Sequence, residues 1–116
     1  MTTATIYHNS RCSKSRQTLE LLRSRNIDVE IVDYLSSPPD AGELRRILRL
    51  LGIRPRALLR SKEDLYRTLG LDDPTLGDDA LIQAMVDHPR LIERPIVIIG
   101  DKAVIGRPPE NILKLL

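Results

Sequence analysis

The sequence predicts a mixed α/β thiol-bearing domain: a four-stranded mixed sheet built as βαβ and then ββα, with a helical insertion between the two halves. Three observations carry that prediction. Apolar, β-branched runs stand near both ends of the chain, at 3–7, 29–34, 95–99 and 103–105. The stretch between them carries helix caps, helical spacing and helix stops. Leu, Ile and Val account for 36 of the 116 residues, enough for one core, so a single domain over 1–116 is expected.

Residues 3–7 (TATIY) are β-branched and apolar, a polar turn follows at His8 to Arg11, and a helical pattern runs through SKSRQTLELLRSRN. Leu19 and Leu22 share one face of that helix, with Leu21 close to it, and a hydroxyl from Ser13 or Ser15 is expected to satisfy a free N–H at its start. The helix begins at or just after Cys12. Val29 to Tyr34 (VEIVDY) alternates apolar and polar residues and reads as a second strand; a crossover through a helix makes the two strands parallel. Beyond Pro38 and Pro39, Asp40 with Glu43 three residues later has the form of a capping box. Leu44, Ile47, Leu48 and Leu51 make a buried stripe, and Gly52 stops the helix. Short helices follow around Pro55 to Arg60 and Glu63 to Leu69, and another runs from Asp78 or Asp79 to about Asp87, stopped by Pro89.

The last third changes character. Pro95 to Ile99 (PIVII) and Ala103 to Ile105 flank a Gly100-Asp101 turn and form a hairpin, and Pro108-Pro109 leads into a final helix, ENILKLL. In this order and on this length, the elements have the layout of a thioredoxin-like fold with a helical insertion. No linker, internal repeat or low-complexity segment divides them.

Composition narrows the function. Hydrophobic residues make up 41% and charged residues 29%, above the range in which disorder prevails. With three Tyr and no Phe or Trp, the stacking platforms that unpaired bases require are missing, and no nucleic-acid partner is expected. One cysteine cannot close an internal disulfide, nor build a cysteine-based zinc site with only His8 and His88 in support, so no metal is expected. The longest apolar run, Ile96 to Ile99, falls far short of a membrane span, and the N-terminal stretch carries no apolar signal segment. A cytoplasmic protein without membrane contact is the expectation, and a reducing compartment suits a free thiol.

The net charge of +2 hides an asymmetry: residues 1–62 hold 12 basic and 6 acidic groups, and residues 63–116 hold 6 and 10. Arg45, Arg46, Arg49, Arg54, Arg56 and Arg60 fall in a stretch without acids between Leu44 and Lys62. It reads as a solvated helix face or as an interaction face.

Cys12 falls where the loop after the first strand meets the first helix. A free thiol with a pKa of about 8.5 is only about 3% thiolate at pH 7, whereas helix N-terminal N–H groups and nearby cations favour the anion. His8, Arg11, Lys14, Ser15 and Arg16 surround it in sequence. A buried structural cysteine is the rival, but a polar, basic loop is a poor place for burial. The expectation is an activated thiolate, with a pKa well below the free value that rises when His8 is replaced with Ala. Ser15 stands where a redox pair places its second cysteine, so an external thiol must resolve any intermediate. Phosphatase-type chemistry pairs a cysteine with an arginine of the same phosphate loop, and the spacing from Cys12 to Arg16 and Arg23 does not fit it.

The run YHNSRCSKSRQTL, with ALLR at 57–60, LIERPIV at 91–97 and GRPPE at 106–110, resembles the arsenate reductase (ArsC) family of the thioredoxin/glutaredoxin-like superfamily. The short length and the GRPPE ending resemble its small bacterial YfgD-like branch. Four ordered motifs carry the resemblance over nearly the whole chain. It implies that Cys12 is the nucleophile, that Arg60, Arg94 and Arg107 bind and polarise the oxyanion, that His8 and Ser15 stabilise the thiolate, and that Pro95 is the cis-proline facing the reactive cysteine. It also implies the reaction: glutathione/glutaredoxin-dependent reduction of arsenate to arsenite through a Cys12 thioarsenate adduct. Glutathione is then a co-substrate, glutaredoxin a partner, and no cofactor is bound.

Local sequence offers each residue another use. Arg60 at the end of a short helix can meet its C-terminal dipole, Arg94 before Pro95 can be an extended turn residue, and Arg107 can close the hairpin. His8 at a strand end can be a hydrogen-bonded structural side chain. Asp72-Asp73 and Asp78-Asp79 stand at turns and helix starts, where capping is a simpler role than metal binding. Three arginines together favour the oxyanion, because a dianion stripped of water needs several charge-assisted hydrogen bonds, each worth about 1.5 to 3 kcal/mol. Two other functions stay open. One is an ArsC-like thiol oxidoreductase with a different substrate, since the chain ends soon after GRPPE without the longer tail of the plasmid-type enzymes. The other is an Spx-like regulator that binds RNA polymerase; the arginine stretch speaks for it, and the serine in place of a second cysteine speaks against it.

Overall fold

The four strands expected from the sequence pair into one sheet. In a computed structural model that describes residues 3–116, β1 (Thr3–His8) runs parallel to β2 (Asp28–Asp33) and antiparallel to β3 (Ile96–Ile99), and β3 runs antiparallel to β4 (Lys102–Ile105). The strand order is β2-β1-β3-β4, so β1 and β3 are central and the other two are edges. The chain divides into two compact units, one made of the segment up to Ser37 with Arg94–Leu116, the other of Pro38–Glu93.

In the first unit, alternation along the strands decides what is buried. Ala4 and Ile6 of β1 and Val97 of β3 point to one face of the sheet, where they meet Leu19 and Leu22 of α1 (Ser13–Ser24), Ile27 and Ile112 in one apolar cluster. Leu22 and Ile6 are fully buried, each stabilising the fold by about 1.5–3 kcal/mol relative to exposure. Tyr7, Ile96 and Ile98 point to the opposite face and are buried as well. The alternation in VEIVDY does not produce a buried row, because β2 is an edge strand and Ile31 is 43% exposed. The final helix is a 3-10 helix at Pro109–Leu115. Short, proline-led segments favour such i→i+3 turns, seen here as Asn111 N–H donating to Pro108 O at 3.0 Å.

The second unit is helical, with α2 (Ala41–Leu51), α3 (Pro55–Leu58), α4 (Asp64–Thr68), α5 (Asp78–Asp87) and a 3-10 turn at Pro89–Leu91. Asp40 caps α2 as its sequence suggests, its Oδ1 accepting from Glu43 N–H at 2.8 Å. Gly52 ends the helix at φ 68°, a left-handed conformation that favours glycine. Leu44, Ile47 and Leu48 are buried, whereas Leu51, at the last position of the helix, is only half-buried. Leu59 and Ile92 form an antiparallel bridge that ties the end of the α3 segment to the exit of the 3-10 turn.

Candidate active site

The loop after β1 is tied so that Cys12 opens α1. Cys12 N–H donates to Asn9 O at 2.9 Å, and its carbonyl accepts the first helical bond from Arg16 N–H at 3.1 Å. Asn9 Oδ1 accepts from Arg11 N–H at 3.0 Å, and Arg16 Nη1 donates to Ser10 O at 2.9 Å. The serine caps expected for α1 are not formed: Cys12 itself is the N-cap residue, in extended conformation at φ −91° and ψ 123°. The buried Ser15 hydroxyl instead accepts from Asn9 N–H at 3.4 Å, and so holds the loop rather than the helix start.

Cys12 is buried, with 8% of its surface exposed, which corrects the expectation that a basic loop keeps it in the open. Burial pushes the thiol up, yet its pKa falls from 9.0 to about 7. The Ser15 N–H, a hydrogen bond from the Arg94 side chain, the Lys14 N–H and the Arg94 charge all favour the anion. Roughly half of the molecules then carry the thiolate at pH 7. Ser15 thus acts on the sulfur through its backbone.

Two arginines reach this sulfur. Arg94 precedes β3, and Arg107 follows β4, each joined to the next residue by a cis peptide bond, to Pro95 and Pro108 respectively. Arg107 Nη2 donates to Cys12 Sγ at 3.5 Å, and Arg107 Nε donates to Arg94 O at 2.8 Å, so the two loops are laced together beside the thiol. Gly106 N–H donates to Pro95 O at 2.9 Å, extending the ladder between β3 and β4 by one bond. There is no room for a side chain at Gly106, where a Cβ would lie 2.6 Å from Thr18 Oγ1 and 2.9 Å from Pro95 Cγ. The fully buried Thr18 hydroxyl donates to Lys14 O at 2.8 Å, with Gly106 O at 3.4 Å as the longer branch. Arg94 is therefore no exposed turn residue, and Arg107 does more than close the hairpin.

His8 ends β1 on the face shared by Ala4 and Ile6, and it is buried. Burial lowers its pKa below the ordinary value, outweighing the carboxylate of Asp33, which raises it, while Arg23 and Arg16 lower it further. A neutral imidazole results at pH 7, and its Nδ1 has no hydrogen-bond partner among the described residues. Ser15, Arg94 and Lys14 favour the thiolate, and Arg107 donates to the sulfur.

Arg60 belongs to the second unit. Its guanidinium contacts Glu93 at 2.8 Å and Glu63 at 3.4 Å, and its side chain is 20% exposed. Because α3 ends at Leu58, carboxylates rather than a helix dipole hold it. Most of the arginine stretch is likewise engaged inside this unit: Arg45 pairs with Asp79 at 2.9 Å, Arg54 with Asp78 at 3.1 Å, and Arg56 donates to Tyr66 Oη, Leu71 O and Asp73 O. Asp73 accepts from the Thr75 N–H and hydroxyl. Among the described residues, no group of three or more His, Cys, Asp or Glu is arranged to hold a metal ion, and no helix is long and apolar enough to cross a membrane.

Sequence reasoning passed over Thr18, Gly106 and Asn111. Thr18 had a visible signal, since it interrupts with a hydroxyl the buried face formed by Ser15, Leu19 and Leu22. The demand for glycine at 106 arises from a residue 88 positions away, and nothing local announces it.

A mixed sheet in this order, with a lone cysteine at the start of the first helix and two arginines at its sulfur, defines a thioredoxin-like thiol protein. The chain is 54% identical over 112 residues to an arsenate reductase of Neisseria meningitidis serogroup A, covering 96% of each. It is 55% identical over 112 residues to the protein YfgD of Escherichia coli K12, covering 96% of this chain and 94% of that one. The solved structure of an arsenate reductase from Vibrio cholerae superimposes with a TM-score of 0.97 at 48% identity, covering 99% of this chain and 98% of that one. The ArsC family model matches residues 7–115, and the chain belongs to the ArsC family.

Proposed function

We propose that the protein is a thiol-dependent arsenate reductase. The observation that carries this reading is a buried Cys12 thiol that accepts from Arg107, itself laced to Arg94, on a chain whose relatives at about half identity are named arsenate reductases. In the proposed reaction the Cys12 thiolate attacks As(V); an S–As bond forms and an As–O bond breaks, its oxygen leaving as water after protonation. Arg94 and Arg107 share the negative charge of the arsenate oxygens through charge-assisted hydrogen bonds. Arg60 is the third arginine that the family likeness assigns to the oxyanion.

Glutathione thiolate then attacks the Cys12 sulfur. The S–As electron pair leaves with arsenic, which becomes As(III) and departs as arsenite, and Cys12 is left in a mixed disulfide with glutathione. With Ser15 in place of a second cysteine, a glutaredoxin dithiol supplies the two electrons that restore the Cys12 thiol. That reduction releases glutathione as its thiol and leaves glutaredoxin as a disulfide for the recycling reductant; glutathione is thus a co-substrate of the thiol-transfer step, and the reducing cytoplasm is where the cycle can be sustained.

The test is turnover. Purified protein with arsenate, glutathione, glutaredoxin and an NADPH-driven recycling system is expected to form arsenite and consume NADPH, and Cys12→Ser is expected to do neither. Arsenite formation no greater than in the Cys12→Ser control would rule the enzyme assignment out.

A further inference from the structure

We propose that Asn111 is a positioning residue for the active site: its side-chain amide clasps the carbonyls on either side of Gly106 and thereby holds the Arg107 guanidinium against the Cys12 sulfur. Asn111 Nδ2 donates to Ile105 O at 3.1 Å and to Arg107 O at 3.0 Å. Both neighbours are pure acceptors, so the two N–H bonds of the amide nitrogen are matched one to each, and no other side chain of this size presents two donors in that fork.

The clasp sits where the chain leaves the β3–β4 ladder. Up to Gly106 the backbone is held by the β3–β4 ladder, whose last bond is Gly106 N–H to Pro95 O at 2.9 Å. Beyond Gly106 the chain leaves the sheet, and Arg107 must turn its side chain back to donate to Arg94 O at 2.8 Å and to Cys12 Sγ at 3.5 Å. Asn111 bridges this change of direction from the far side, being fixed by its own place in the 3-10 helix Pro109–Leu115 and by its N–H bond to Pro108 O at 3.0 Å. The helix that carries it is anchored in the core through Ile112, which is fully buried. At 3.5 Å the guanidinium nitrogen is at ordinary hydrogen-bond distance from a sulfur acceptor, and that bond weakens steeply once its angle relaxes.

The side-chain bonds of Asn111 go to the backbone at Ile105 and Arg107 and not to the sulfur, so the proposed effect passes through Arg107, and a double-mutant cycle isolates that path. The rate of Cys12 alkylation by iodoacetamide is measured against pH for the full-length protein, for Asn111→Leu and Asn111→Ala, and for the same two changes in an Arg107→Met background. The assay contains no arsenate, so its outcome is separate from that of the reductase reading. Both Asn111 variants are expected to raise the midpoint of the profile by roughly half a pH unit to one unit, as for weakening one close cation. In the Arg107→Met background neither is expected to move it further. The proposal is overturned by an unmoved midpoint when Asn111 is replaced in the otherwise unchanged chain, by an equal shift with and without Arg107→Met, or by a shift confined to one of the two Asn111 substitutions, which would trace to packing volume rather than to the lost donor.

Discussion

Arg107 Nη2 stands 3.5 Å from Cys12 Sγ across 95 positions of sequence. The contact joins the two ends of the chain at the one atom able to act as a strong nucleophile. It exists because β1 and β3 are neighbours in the sheet: β1 delivers Cys12 from its C-terminal end, and the hairpin returns Arg107 to the same end. With Arg94 contributing a second side-chain hydrogen bond, the thiolate is favoured despite its burial.

Removing Arg94 tests that balance. Burial opposes the thiolate, and the Ser15 N–H, the Arg94 side chain and the Lys14 N–H offset it to give a pKa of about 7. Arg94→Ala deletes both a donor and a positive charge, so the thiol is left with burial less well opposed and its pKa rises, by about one unit. At pH 7 the alkylation rate is expected to fall several-fold, with the rate at pH 10 nearly unchanged. A midpoint that stays near 7 in Arg94→Ala would place the activation in the helix start alone.

His8 supplies a different pH dependence. Its pKa is lowered in the folded protein, chiefly by burial, so between the folded value and the unfolded value of about 6.5 the unfolded chain binds more protons than the native one. Stability therefore rises with pH in that window and is lost as pH falls below about 6.5. Urea midpoints for the parent protein are expected to decline from pH 7 to pH 5, and His8→Phe, which cannot titrate, is expected to flatten that part of the decline. The same variant is expected to move the Cys12 alkylation midpoint less than Arg94→Ala does, because a neutral imidazole adds no charge at the sulfur. Equal shifts in the two variants would restore His8 to the thiolate-stabilising role that the resemblance implied.

The sheet, its strand directions and the helical insertion were legible because each rests on local pattern: β-branched runs, an Asp40 cap and a Gly52 stop are signals within a few residues of their effect. The position of Cys12 at the helix start was legible for the same reason. Its burial was not, since a neighbourhood of His8, Arg11, Lys14 and Arg16 reads as solvated when only sequence neighbours are counted. The groups that enclose the sulfur include Arg94 and Arg107, which only the fold brings there. The ion pairs of Arg45 and Arg54 with Asp79 and Asp78 were hidden likewise, because their partners stand 34 and 24 positions away.

Gly106 is expected to tolerate no side chain. A Cβ there would lie 2.6 Å from Thr18 Oγ1 and 2.9 Å from Pro95 Cγ, closer than atoms in van der Waals contact. Thr18 is buried in α1 and Pro95 is fixed by its ring, so neither yields freely, and overpacking of this kind costs about 1–3 kcal/mol. Gly106→Ala should lower the unfolding free energy by that amount and with it the denaturation midpoint, and Thr18→Ala in the same chain should recover part of the loss by removing the nearer atom. Full stability in Gly106→Ala would show that the segment shifts without cost.

Arg60 separates a structural from a catalytic contribution. Its guanidinium is held by Glu93 at 2.8 Å and Glu63 at 3.4 Å, with side-chain exposures of 20%, 26% and 30% for Arg60, Glu93 and Glu63. Such partial exposure lies between surface pairs worth about 0–1 kcal/mol and buried pairs whose rupture costs about 3–5 kcal/mol, so Arg60→Ala should cost about 1–2 kcal/mol, most of it from two carboxylates left facing each other's charge. Glu93→Gln in the Arg60→Ala background should return part of that loss, whereas in the parent chain it should destabilise. Arsenate turnover gives the second axis. On the proposed role of Arg60 at the oxyanion, its replacement should raise KM for arsenate, and restoring stability through Glu93→Gln should leave the raised KM in place. A KM that recovers together with stability would assign Arg60 to the fold of its own unit and leave Arg94 and Arg107 as the arginines that meet the substrate.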